Sequence, residues 1–352
     1  MHLTSTRPGQ LDATLVSDAI RPHLERGRSG VVHSVFRAVV NLETRDGLIT
    51  IGGPSVEPLP HGLRTRGPLD FQTMGLRPGQ HVILDRRWIR IPACDIDIDL
   101  SLAANWSPRL PANDPELARA RWRIRARDVR SLVAAAVRAR PGSRDGLGDL
   151  IDTDGHSPLR PVARLAAPRL ERLASAVRDA DPSAAGTAAE SLVGLGPGLT
   201  PSGDDALIGM AAALTALAAP GTLDATFLRR AVETAPNRTT AVSTTFLRHA
   251  AAGEFCGGLH GLMAGLTGPD PSEVRSAIER SVAFGATSGA DTLVGVLMGL
   301  DAMVASVLDA PAVSVVGALA ASAPGQARTA PGQARTAPGQ ARTAPGQART
   351  AA

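Results

Sequence analysis

The 352-residue chain has no lysine and no tyrosine, only two cysteines and only 3% aromatic residues. All 37 residues counted as Lys or Arg are therefore arginine. Without lysine there is no Schiff-base amine, no lysine nucleophile and no phosphate loop of the G-x-x-x-x-G-K type. With so few aromatics, the core must be built mainly from Ala, Leu and Val. Cys94 and Cys256 are too few and too far apart for a disulfide framework or a zinc site. No His/Cys/Glu spacing matches a metal site, and no G-x-S-x-G nucleophile turn occurs. Asp301, Asp309 and Pro311 interrupt the longest apolar stretches, so none reaches the ~20 residues of a membrane span. The first 15 residues carry no apolar run resembling a signal peptide. A cytoplasmic protein with no cofactor and no membrane partner is the expectation.

The formal charge of +4 suggests a basic protein, but its distribution does not. Arg328, Arg335, Arg342 and Arg349 lie in a terminal stretch without acids. Setting them aside leaves 33 arginines against 33 acids. A neutral body lacks the general basic excess of a phosphate-backbone binder, so no nucleic-acid partner is expected.

The texture of the chain changes twice, and an α+β fold follows. Residues 30 to about 105 hold short β-rich runs (Val31–Phe36, Val39–Leu42, Leu48–Ile51, Val82–Leu84, Trp88–Ile91) separated by Gly and Pro turns. This pattern predicts a small barrel or sandwich. Asp95, Asp97 and Asp99 alternate with Ile96, Ile98 and Leu100, as on a strand with one solvated face. After Trp106 the chain becomes Ala/Leu-rich. Asn113-Asp114-Pro115-Glu116 opens a helical region whose Gly/Pro breaks predict six to eight helices. Four copies of Ala-Pro-Gly-Gln-Ala-Arg-Thr close the sequence and read as disordered. The expected segments are a barrel-like 1–110, a helical 111–322 and a disordered 323–352.

The stretch richest in chemistry is Leu195-Gly-Pro-Gly-Leu-Thr-Pro-Ser-Gly-Asp-Asp205, which runs directly into an apolar helix. Such a loop can aim backbone N–H groups at an anion on a helix N-terminus. Ser202-x-x-Asp205 is equally a capping box, with Ser202 as N-cap and Asp205 at the third helical position. Eighty-six residues on, Ser288-Gly-Ala-Asp291-Thr-Leu-Val-Gly295 repeats the pattern S-G-x-D-x-L-x-G. Capping requires neither glycine. Either the two helix starts converge on one site, or two similar helices pack through Gly209 and Gly295. Between them lie Thr239, Thr240, Ser243, Thr244 and Thr245, a density of hydroxyls that suits a polar ligand or neighbouring helices. Arg238 and Arg248 read as surface arginines or anion partners, and His260 as a satisfied core histidine. Six arginines between Arg119 and Arg130 read as a solvated helix face.

Gly194–Asp205, the Thr/Ser stretch 239–245 and Thr287–Asp291 occur in the order found in the AllH family, which the chain resembles over about residues 25–310. That resemblance implies a subunit of an oxamate carbamoyltransferase. Such an enzyme interconverts oxalurate plus phosphate with oxamate plus carbamoyl phosphate in allantoin breakdown. It implies AllF-like (FdrA-like) and AllG-like partner subunits. It carries over no catalytic residues, so the candidate roles rest on the residues themselves. Asp205 and Asp291 are the candidate proton-handling groups. Gly196, Gly198, Thr200, Ser202, Gly203 and Asp204 would line the anion site from the first motif. Thr240, Ser243 and Thr244 would join from the hydroxyl-rich helix, and Ser288 and Gly289 from the second motif. The alternative is a non-catalytic binding or assembly subunit.

Overall fold

The protein is described by a computed structural model covering residues 9–67, 69–151 and 158–305. The first part is all strand apart from the short helix α1 (Arg21–Glu25) and two 3-10 turns: β1 (Gln10–Ser17), β2 (Arg28–Val35), β3 (Val39–Thr44), β4 (Gly47–Gly52), β5 (Gly62–Thr65), β6 (His81–Leu84), β7 (Trp88–Ile91), β8 (Ile96–Asp99) and β9 (Ala104–Trp106). The strand order is β5-β4-β3-β2-β6-β7-β8-β1-β9, and β1 also pairs antiparallel with β5. That extra pairing closes an eight-stranded barrel, with β9 lying beside the second half of β1. Closure leaves no free edge in the ring.

The closing strand lies outside the region that reads as β in the sequence. In β1 the positions facing the core include a small Ala13 besides Val16, which weakens the alternation. Strands β6, β7 and β8 alternate buried and exposed positions, whereas β3 and β4 are buried on both faces. Val40, Leu42, Ile49 and Ile51 fill the barrel. Asn41 and Thr50 point the other way, are buried too, and are hydrogen-bonded to each other at 2.6 Å. This outer face is where the helices dock: His61 lies edge-on to Phe246, with ring centres 4.6 Å apart, and against His249 at 5.6 Å. Of the acidic ladder, Asp97 sits in a half-exposed pair with Arg90, Asp99 receives the Ser101 N–H, and Asp95 precedes the strand.

Among the described residues the helical part holds nine α-helices, more than the breaks predict: α2 (Pro115–Arg138), α3 (Pro161–Arg178), α4 (Pro182–Leu192), α5 (Ser202–Ala216), α6 (Arg229–Thr234), α7 (Ala241–Ala251), α8 (Gly257–Thr267), α9 (Val274–Ala283) and α10 (Ser288–Ala305). The additional breaks fall at glycine-containing loops, including the two motif loops themselves. Helix α10 is long and apolar enough to cross a membrane, but 78% of it is buried in the protein, where it serves as a core helix. The arginine run of α2 is a correction to the solvated-face reading. Arg119 is buried and donates to the Leu217 carbonyl at the end of α5, and Arg125 donates to Gly265 and Gly268 at the end of α8. Arg121 bonds the Thr267 carbonyl, and Arg130 pairs with Asp301 of α10. Cations at helix C-termini satisfy the last carbonyls and complement the helix dipole. The repeat segment 323–352 lies outside the described residues.

Helices α5 and α10 make the closest contact in the bundle. A methyl group on Gly209 would collide with the Thr292 carbonyl oxygen, and one on Gly295 with that of Ala206. Further along, a methyl on Gly299 would meet Ala213 Cβ at 2.8 Å and Met210 O at 3.1 Å. Contacts advance in the same direction along both helices, so the two run parallel with backbones touching. Gly295→Ala or Gly209→Ala should therefore destabilise the protein by about 3 kcal/mol or more, through overpacking against backbone that cannot yield. Gly261→Ala in α8, where nothing lies within 4 Å of the added carbon, should instead stabilise it by about 0.5–1 kcal/mol. Denaturant unfolding of the three variants checks both signs.

Candidate functional site

Because α5 and α10 are parallel and in register, their N-termini lie side by side. The Thr200 and Ser288 hydroxyls are 2.8 Å apart. The sequence repeat is also a structural one. A methyl on Gly203 would strike the Leu192 carbonyl at the end of α4, and one on Gly289 the Ser281 carbonyl near the end of α9. Each motif glycine thus lets its helix start flush against the helix before it. Gly196, at φ +112°, and Gly285, at φ +63°, bring their loops within 3.0 and 3.2 Å of the Ser202 and Ser288 hydroxyls, measured from the carbon a side chain would add. The two readings of the repeat are therefore not exclusive: the glycines pack the helices, and that packing apposes the two helix starts.

The capping-box reading is corrected at the first motif. Pro201 is the N-cap and makes no side-chain cap bond; Ser202 opens the helix, and Asp204 rather than Asp205 is the third helical residue. Asp204 is fully bonded. It accepts from the Gly194 N–H at 2.8 Å, from Ser243 Oγ at 2.7 Å and from Thr239 Oγ1. Burial raises its pKa, and these donors, with the Arg238 charge, pull it back. Most of the hydroxyl-rich stretch has local duties. Thr240 caps α7 through the Ser243 N–H and donates to the Leu199 carbonyl, while Thr245 bonds back to Ala241. Thr244 Oγ1 is buried without a protein partner.

Asp205 and Asp291 differ from Asp204. Both are buried, at 5% and 0% exposure, and each has one carboxylate oxygen, Oδ2, with no protein hydrogen-bond partner. Asp291 Oδ1 accepts the Leu147 N–H at 2.5 Å. Burial lifts its pKa to about 6, against the opposing pull of Leu147 N–H and of the Ser202 and Thr287 hydroxyls. Asp205 is held well above the usual carboxyl range by burial and then by the neighbouring Asp291 charge, with Ser288 and Thr200 pulling down. An uncompensated acceptor in a low-dielectric interior is expensive, and this separates the two carboxyls from the fully bonded Asp204. Two carboxyls, two hydroxyl pairs and two helix N-termini form one polar cluster that can accept N–H donors and exchange a proton.

The structure brings Thr200, Ser202, Asp205, Ser288 and Asp291 together. Gly198, at φ +101°, sits at the exposed tip of the loop with open space around it. Arg238 donates to the Glu190 carbonyl, and His260 bonds the Pro108 carbonyl at 2.9 Å, holding α8 to the end of the barrel. The loop preceding α3 was missed by sequence reasoning. Gly146 abuts the Asp291 carboxylate so closely that any side chain would displace it. Arg144 and the Arg160 N–H clamp the buried Asp149 at 2.7 and 2.9 Å and hold this loop over the start of α10. Its only sequence signal was the dense Gly/Asp/Arg run from Pro141 to Asp149.

Residues 192–300 match the family model described as oxamate carbamoyltransferase subunit AllH, and residues 11–105 match that of the AllH family N-terminal domain. The two matches cover the helical motifs and the barrel. No solved structure matches the chain.

The Asp291 carboxyl makes stability pH-dependent in a definite direction. Its pKa is higher in the folded chain than the usual 3.8, at about 6. Between those values the folded state holds more protons than the unfolded one, so stability falls as pH rises, by about 3 kcal/mol for a change of this size. Asp291→Asn should flatten that slope between about pH 4 and 6. Asp204→Ala should cost about 3 kcal/mol even at pH 7, where a raised carboxyl pKa no longer adds stability, since it strands three donors. Denaturant titrations across this pH range and up to pH 7 separate the two.

Proposed function

The chain belongs to the AllH family, and on that membership we propose that it supplies the substrate-binding and proton-transfer site of an oxamate carbamoyltransferase at the joined N-termini of α5 and α10. The family description makes it a subunit, hence part of a multi-subunit enzyme. The observation that carries the reading is the pair of buried, half-bonded carboxyls Asp205 and Asp291.

Carbamoyl transfer to oxamate joins an amide nitrogen to the carbonyl carbon of carbamoyl phosphate. The new C–N bond forms, the C–O bond to phosphate breaks, phosphate leaves with the electron pair, and the nitrogen gives up one proton. Both substrates present NH2 groups, whose hydrogens suit the free carboxylate oxygens. Both also carry negative charge, which the two parallel helix N-termini favour. A carboxylate with a pKa near 6 is matched to accepting the amide proton near neutral pH. Ser202, Ser288 and Thr200 are the donors best placed for developing oxyanion charge. The partners in this reading are AllF-like and AllG-like subunits, and the pathway is allantoin breakdown.

The near-complete burial of the carboxyls favours one other reading, in which the chain binds or assembles without catalysing. The two separate in a reconstitution. Transfer of the carbamoyl group is measured with the chain alone, with the partner subunits alone and with all together. On the catalytic reading, Asp291→Ala lowers kcat by roughly 100-fold or more while the assembly still forms. On the other, the same variant assembles and turns over normally.

A further inference from the structure

The two carboxyls of the pair are not equivalent, and what distinguishes them comes from outside the repeat. Asp291 has a backbone donor, the Leu147 N–H, on one oxygen at 2.5 Å. Asp205 has no backbone donor among the described residues; only the Thr200 and Ser288 hydroxyls oppose its burial. A hydroxyl rotates and can accept as well as donate, so it favours the ionised carboxyl without requiring it. A backbone N–H can only donate, and it favours the charged form of the group it faces. The loop carrying Leu147 is fixed. Arg144 and the Arg160 N–H hold Asp149, Arg160 also pairs with Asp145 at 2.6 Å, and Gly146 leaves the room that the Asp291 carboxylate fills.

We propose that the Gly146–Leu147 loop assigns the roles within the pair: Asp291 is the ionised member that takes the amide proton, and Asp205 is the protonated member that donates a hydrogen bond. This inference rests on the catalytic reading above for its chemistry, but the division of the proton does not. The charged groups that act on the pair are the two carboxyls themselves and Asp204, which Thr239, Ser243 and the Gly194 N–H already hold. In the transfer step the oxamate nitrogen bonds to the carbamoyl carbon and its proton passes to Asp291 Oδ2. Phosphate departs with the electrons of the broken C–O bond, and Asp205 keeps its proton while bonding the carbonyl oxygen. Gly146, Leu147 and Asp149 are positioning residues, since they act only through Asp291.

The test uses substitutions that copy one protonation state. Asn resembles a protonated carboxyl in shape and donates through Nδ2, so Asp205→Asn should cost far less activity than Asp291→Asn, with the two differing by at least about 30-fold in kcat in the reconstituted complex. The infrared spectrum of the full chain at pH 7 supplies a readout independent of turnover. A protonated-carboxyl band should disappear in Asp205→Asn and persist in Asp291→Asn. Leu147→Pro removes the donor while leaving both carboxyls in place, and should move the acidic limb of the pH–rate profile to higher pH. The opposite pattern, with the band lost only in Asp291→Asn or with Asp205→Asn the more damaging, overturns the assignment. An unmoved pH profile in a folded Leu147→Pro chain overturns the role of the loop. A wild-type complex without carbamoyl transfer would sink the catalytic reading alone, and the infrared comparison would still decide which carboxyl holds the proton.

Discussion

The site depends on the backbone contact between α5 and α10. Glycine in a helix interior is less favourable than alanine by roughly 0.5–1 kcal/mol per residue, and Gly209, Gly295 and Gly299 all incur that loss at this one seam. In return the helices approach until a carbonyl of each fills the space above a glycine of the other. Parallel packing in register then puts two positive dipole ends side by side, an arrangement that is unfavourable unless negative charge is placed there. Asp204 and Asp291 supply that charge, and Asp205 stands beside them as the protonated member of the pair. The acidic character of the site thus follows from the same constraint that brings the helices together.

The three buried aspartates show how partners, rather than residue type, separate a strut from a reactive group. Asp204 ties the Gly194 loop and the start of α7 to α5 and uses both oxygens. Asp205 and Asp291, under the same burial, each retain an oxygen without a protein partner. Elsewhere long-range clamps tie the helices together, most clearly along α2, whose arginines reach the ends of α5 and α8. Those clamps fix the C-terminal end of α5 while the glycine seam fixes its length.

The barrel meets the helices on the outer face of β3 and β4. Small polar residues there, Asn41 and Thr50, satisfy each other and leave a low surface for α7. Glu57, just after β4, accepts the Gly258 N–H, and the Pro58 carbonyl accepts that of Gly257, so the barrel also caps the start of α8. Helix α7 therefore spans the two regions: Thr240 and Ser243 at one end touch the motif loop and Asp204, and Phe246 and His249 near the other touch His61 of the barrel.

Local pattern sufficed for the division into β and helical regions, for most strands and for both motif helices, because alternation, Gly/Pro turns and apolar runs are short-range signals. The S-G-x-D-x-L-x-G repeat also announced that two helix starts were alike. Their parallel register was beyond the sequence, since it is set by which carbonyl fills the gap over which glycine. The roles of Asp204 and Asp205, adjacent and identical in type, were indistinguishable for a related reason: a helical turn points them at different neighbours. The barrel's closing strand β1 and the Leu147 donor were likewise invisible. Each acts on a partner far along the chain, Asp291 in one case and β5 in the other, and a contact at that separation exists only once the chain has folded.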